Sequence, residues 1–174
     1  RVRIEVLPPG DEKPLFDSAA PGAMPPFVFD DLAALLQAGE TLSITRVSYL
    51  LADFALERAD GSWLEFTNHY AWLDAERGRT SLRIPSVPPA TYRGIRFHFG
   101  PDALVNHTNP AVFAADHPLN PNLNGLHWNW QGGYIFLALE GNWRGADGTP
   151  GGFSYHLARD ANRTAIELKG EIDL

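Results

Sequence analysis

The chain has 174 residues, a size that suits one domain with a real core and is too small for two comfortable ones. A hydrophobic share of 44% against 20% charged residues marks an ordinary globular protein, and a net charge of −7 argues against nucleic acid or an anionic membrane as partner, since both need a basic face. There is no cysteine, which excludes disulfides, zinc–thiolate sites, iron–sulfur clusters and cysteine catalysis.

In chain order, "RVRIEVL" (1–7) alternates charged with aliphatic residues and reads as a strand. Residues 8–30 hold six prolines and read as an arm lying on the body of the protein. "DDLAALLQAG" (30–39) is the best helix candidate, with Asp30 or Asp31 to cap it and Gly39 to end it. From Thr41 the period changes to two. A strand runs through Leu56, turns at Asp60–Gly61 and returns. "TSLRIPSV", "TYRGIRFHFG", "GGYIFLALEG", "GGFSYHLAR" and "TAIELKGEIDL" read as further strands. The sum is a single all-β domain over 1–174. It is an antiparallel β-sandwich of about eight strands with one short helix.

Residues 101–131 show no strand pattern. A loop of that length in a compact domain is usually functional or disordered, and its aromatic residues argue against disorder. No run approaches the roughly 18 apolar residues of a membrane span. The chain begins at Arg1 rather than Met, as expected of a mature or trimmed chain.

The chemistry concentrates in histidine. The six are His69, His98, His107, His117, His127 and His156, three of them in the long loop. In an extended strand His98 shares a face with Gly94 and Arg96, away from Ile95, Phe97 and Phe99. His156 likewise faces away from Phe153, Tyr155 and Leu157. Imidazole suits copper, zinc, nickel and iron, and with no Cys and only Met24 a histidine-dominated copper or zinc site is the natural metal reading. No HExxH, HxH or EF-hand spacing accompanies it, and the bland alternative is loop histidines bonded to backbone. Asp53, Glu57, Glu65 and Asp74 read as solvated strand acids. Ser154 and His156 share a strand face without making a triad. A hydrolase therefore ranks lowest. A carbohydrate- or small-ligand-binding sandwich that uses surface tryptophans is the main alternative.

Five blocks carry a resemblance. "SITRVSYLLADFALERADGSWLEF", "YRGIRFHFG", "LVNHTNP", "HPLNPNLNGLHWNWQGGYIFLALEG" and "GGFSYHLA" resemble, in that order, successive blocks of the MbnP-like proteins, the copper-binding partners associated with methanobactin operons. The likeness runs from about Leu42 to Leu157. It implies a periplasmic or secreted protein with no turnover of its own, expected as a monomer. It also implies one copper held by histidines and a di-haem partner of the MbnH or MauG type. In relatives a tryptophan oxidised to kynurenine contributes to the copper site. His107, His117 and His156 fall in matching blocks, and His69 with Trp72 in "NHYAWLD" resembles the region of a metal histidine and the modified tryptophan. His69, His107 and His117 are thus the leading ligands, His98 and His156 the reserves, and Trp72 the residue to watch for oxidation. The family's Gly-Cys ending after the "HL" block is absent, for the chain reads "HLARDANRT".

Overall fold

The computed structural model describes residues 41–128 and 132–174. The expected strand 1–7, the proline-rich arm, the helix 30–39 and Trp130 lie outside the described residues. Six strands follow: β1 (Thr41–Glu57), β2 (Trp63–Asp74), β3 (Thr91–Phe99), β4 (Ile135–Arg144), β5 (Pro150–Ala158) and β6 (Thr164–Asp173). Two four-residue helices, α1 (Ala103–Asn106) and α2 (Pro121–Asn124), sit in the long loop.

All pairings among these strands are antiparallel, in the order β5-β4-β1-β3-β6, with β2 also on β1. The long β1 organises the sheet. Its first half, Thr41 to Tyr49, pairs with β4, and its second half pairs with β3 and β2. Ser48 pairs both Ala138 of β4 and Asp74 of β2, and Ala52 pairs both His98 of β3 and Tyr70 of β2. So β4 and β3 follow one another along one edge of β1, and β2 holds the other. Two groups of strands share one strand, and the fold is all-β and sandwich-like.

The hairpin turns obey local chemistry. At β1–β2, Gly61 takes φ +83°, and the Ser62 N–H donates to the Asp60 carboxylate at 2.9 Å. At β4–β5, Gly148 takes φ +83° and the Thr149 N–H donates to Asp147 at 2.9 Å. Both are positions where a side chain opposes φ > 0.

"TSLRIPSV" is not a strand. Its backbone makes no ladder, and only Arg79 bridges to Asp74. The alternation is real but serves packing. Leu82, Ile84 and Val87 lean on an apolar cluster, while Pro85 lacks the N–H a ladder needs.

The cluster under those residues is Leu51, Phe54, Leu56, Ala71, Leu73, Tyr92, Ile95 and Phe97. A second cluster lies on the other face of β1: Leu50, Trp72, Leu119, Leu126, Tyr134, Ile135, Phe136 and Ala138. Leu119 and Leu126 come from the long loop, so that loop is the second layer over this face. Three buried asparagines fix its path. Asn106 accepts from the Tyr134 N–H at 2.7 Å, Asn120 donates to the carbonyls of Phe113 and Ala114, and Asn124 donates to Pro118 and accepts from Leu126. Each replaces the ladder a loop lacks, since buried backbone groups must be paired.

Gly100, after β3, has φ +82°, and a Cβ there would sit 2.3 Å from the Phe136 ring. Gly61 has a similar φ and nothing within 4 Å. We expect Gly61→Ala to cost about 1–2 kcal/mol from the left-handed backbone alone. Gly100→Ala should cost more, by about 1–3 kcal/mol of overpacking. Urea titrations of the two variants read the difference, and equal costs would mean that the ring moves aside freely.

Candidate metal centre

The histidines divide by what their ring nitrogens do. The His107 Nε2 lies 2.8 Å from an Asp160 carboxylate oxygen, and the other Asp160 oxygen takes the Asn106 amide at 2.7 Å. The His156 Nε2 lies 2.8 Å from Glu140, which also accepts from Arg46 at 3.0 Å. A carboxylate accepts only, so both imidazoles carry a proton on Nε2, and in a neutral ring of that tautomer the lone pair is on Nδ1. The hydrogen bond from His107, then that from Asn106, holds the Asp160 carboxyl below its usual range. The His156 contact does the same for Glu140.

His117 engages the other nitrogen: its Nδ1 accepts the Leu119 N–H at 3.1 Å, which puts the N–H on Nε2 as in the other two. The ring stacks on Phe113 at 4.6 Å and tilts against Tyr70 at 5.8 Å. His127 faces Tyr134 edge-on at 4.9 Å, and its Nε2 takes the Gly133 N–H at 3.4 Å.

His98 sits beside a fault in the sheet. Between Ala52 and Phe54 the register of β1 slips against both neighbours. Asp53 there adopts φ +52°, and Asn68 across on β2 adopts φ +56°. The Asp53 carboxylate accepts from Arg163 and lies 3.9 Å from the His98 Nδ1. That nitrogen is buried and has no hydrogen-bond partner. Burial first, and Arg163 second, push the His98 imidazole below its ordinary value. Burial does the same to His117. On the same face, burial and then Asp102 and Asp53 raise the Tyr70 phenol.

His69 flanks the fault on β2 and meets Phe54 edge-on at 5.4 Å. Trp72 belongs to the other cluster. It is 3% exposed, its Nε1 donates to the Ser48 hydroxyl at 2.9 Å, and the guanidinium groups of Arg79 and Arg77 lie 4.6 and 5.2 Å from its ring centre. His69 and Trp72 thus pack into different apolar clusters despite the irregularity between them. Among the described residues, the indole with a histidine ring beside it is Trp128, 6.0 Å from His156.

Among the described residues no three His, Asp or Glu side chains are grouped to hold a metal ion. The structure brings the Asp53–His98 pair, the His107–Asp160 pair and the His156–Glu140 pair together, and leaves the pairs apart.

Asp53 and Asp74 were read as solvated. Asp53 instead occupies the fault, and Asp74 is 4% exposed and accepts from the Arg77 N–H at 3.0 Å. The signal for Asp53 was the interrupted apolar pattern "LLADFAL", with an acid inside a buried stretch. Ser154 does reach the His156 ring, at 3.1 Å, but on the same Nε2 that Glu140 uses. A relay needs the two partners on opposite nitrogens. Of the other described indoles, Trp63 has the cations of Arg96 and Lys169 over its ring, and Trp143 lies on Gly151 and is 41% exposed.

Comparison with known proteins bears on this histidine-rich fold. The sequence matches the MbnP family over residues 21–172. The chain belongs to the MbnP family. A solved structure, MbnP from Methylosinus trichosporium, is 20% identical with a TM-score of 0.47. The match covers 77% of this chain and 62% of that one, so the chain spans less than two thirds of that MbnP. No curated protein sequence matches the chain. No helix among the described residues of this MbnP-family chain is long and apolar enough to cross a membrane.

Depressed imidazole values carry a sign for stability. His98 and His117 bind protons less readily folded than unfolded, so their contribution is complete above the unfolded value of about 6.5. It is lost as pH falls through their lower folded values. Denaturant midpoints should therefore decline between about pH 7 and pH 5. The double variant His98→Gln with His117→Gln should flatten that limb and keep the carboxylate-driven fall at lower pH. An unchanged slope would remove these two imidazoles from the account.

Proposed function

We propose that this MbnP-family protein handles copper in the periplasm or after secretion, holds the ion through histidines and has no turnover of its own. The observation that carries the reading is the pair of carboxylate-held imidazoles, His107 on Asp160 and His156 on Glu140. Metal-binding histidines usually donate their far N–H to a carboxylate, which fixes the tautomer and aims the other nitrogen. A thiolate-free chain with six histidines has the donors copper accepts. The orphaned Nδ1 of His98 adds a third nitrogen without a partner.

The candidate ligands are His69, His98, His107, His117 and His156. Three lead, because His107 and His156 are each held by a carboxylate on Nε2 and His98 has a buried Nδ1 without a partner. His117 would have to give up the Leu119 N–H first. Copper bound there would be cargo. The chain's own residues orient the imidazoles, Asp160 holding His107 and Glu140 holding His156.

Metal analysis should find about one copper per chain, held more tightly than zinc, as the Irving–Williams order favours. The structure holds the three histidines in separate pairs, so one copper uses one of them. Either Asp160→Asn and His107→Ala, or Glu140→Gln and His156→Ala, or His98→Ala alone, should weaken binding by about 10–100-fold. No copper uptake in either redox state would end the reading, and unchanged affinity in all five variants would place the site elsewhere.

The reading extends to an oxidised tryptophan made by a di-haem peroxidase partner of the MbnH or MauG type, with hydrogen peroxide as oxidant. Opening an indole to kynurenine exposes an aryl amine and a ketone, groups that can ligate where an indole N–H only donates. The sequence resemblance nominates Trp72. The ring contact with His156 favours Trp128. Peptide mapping after co-expression with the partner should find one carbon exchanged for one oxygen at Trp128. The same change at Trp72 would restore the nomination from sequence, and no change at any tryptophan would leave a histidine-only site.

A further inference from the structure

Two residues in the left-handed region face each other across the fault in β1, Asp53 at φ +52° and Asn68 of β2 at φ +56°. Aspartate and asparagine tolerate that region better than other residues with a side chain, yet it remains unfavourable inside a strand. Strain of this kind gathers at binding sites and switches.

What the strained backbone produces is a carboxylate set beside an imidazole. The Asp53 Oδ2 lies 3.9 Å from the His98 Nδ1. That separation is too long for a hydrogen bond, and the buried nitrogen makes none. It is within the roughly 4.2 Å that two metal–ligand bonds of about 2.1 Å can bridge. The His107–Asp160 and His156–Glu140 pairs are instead closed by 2.8 Å contacts. Of the three pairs, the His98 pair alone keeps a gap between its oxygen and its nitrogen.

The same Asp53 oxygen already carries a cation. The Arg163 guanidinium donates to it through Nη2. The Arg163 Nε donates to the Gly100 carbonyl at 3.3 Å. The positive charge that a metal ion would bring to this carboxylate is thus supplied by an arginine. An ion approaching Oδ2 meets a ligand in use and a like charge. The arginine has a second partner in Gly100, so it can leave Asp53 without losing every contact. The side chains of His98, Asp53 and Arg163 are 22%, 32% and 20% exposed, which gives an incoming ion and a displaced guanidinium access to solvent.

We propose that Arg163 is a resident cation at the Asp53–His98 pair, and that copper binding to His98 and Asp53 displaces it. This rests on the copper reading and names the pair that takes the ion. Arg163 then sets the affinity. Copper is held less tightly than the two donors alone would hold it, which suits a cargo that is passed on.

Cupric ion titrated into the full-length chain against a competing chelator tests this. Arg163→Gln should bind about tenfold or more tighter than wild type, because the competing charge is gone. Arg163→Lys keeps the charge and should gain less than about threefold. Adding His98→Ala to Arg163→Gln should remove the gain. A merely structural Arg163 would lower affinity in both single variants. If wild type binds copper and Arg163→Gln binds it no more tightly, this proposal falls and the copper reading stands. Wild-type affinity untouched by His98→Ala would have the same meaning. If neither chain takes up copper, both fall. Should Arg163→Gln not fold, phenylglyoxal labelling of wild type decides. Copper loading should raise the labelling of Arg163 several-fold by peptide mapping, and unchanged labelling would overturn the proposal.

Discussion

The length of β1 constrains everything else. A 17-residue strand is too long to stay flat beside one pair of neighbours, and this one changes partners midway. Register slips at Ile44–Arg46 and at Ala52–Phe54 absorb the change. Such slips insert unpaired residues, bend the strand and raise its twist. The second slip sets Asp53 in a left-handed conformation between His98 and Arg163. Just before it, the ordinary pleat of β1 sends Leu50 and Leu51 to opposite faces and so to two separate cores.

The long loop answers that bend on one face. It cannot pair as a strand, so its buried backbone groups go to asparagine amides, and its leucines complete the core. Asn106 shows how tightly layer and site are joined. One end of its amide holds the Tyr134 backbone, and the other holds the carboxylate that orients His107. A change in core packing under Tyr134 therefore reaches the His107 imidazole through two side chains, Asn106 and Asp160.

Much of the fold was legible because period two survives wherever a strand has one buried face. The hairpins at Gly61 and Gly148, the strands they join and the alternation around His98 all follow from it. Pattern failed at "TSLRIPSV", where apolar alternation served packing and proline denied the ladder. The site was less legible. Sequence can count imidazoles, but it cannot say which nitrogen is free. That depends on partners distant in the chain, as His107 is 53 residues from Asp160 and His156 is 16 from Glu140. Asp53 was hidden for the same reason, since its partner Arg163 lies 110 residues away.

The two guanidinium groups over Trp72 also have a redox meaning. Taking one electron from an indole leaves a radical cation, and here the new positive charge would arise about 5 Å from two others. The ring is sealed from water while Arg77 and Arg79 are exposed, so solvent screens part of that repulsion, and the remainder makes the electron leave less readily than from an uncapped indole. Trp63, under Arg96 and Lys169, is defended in the same manner but nearer to solvent. The fold thus makes Trp72 and Trp63 poorer electron donors by placing cations over their rings.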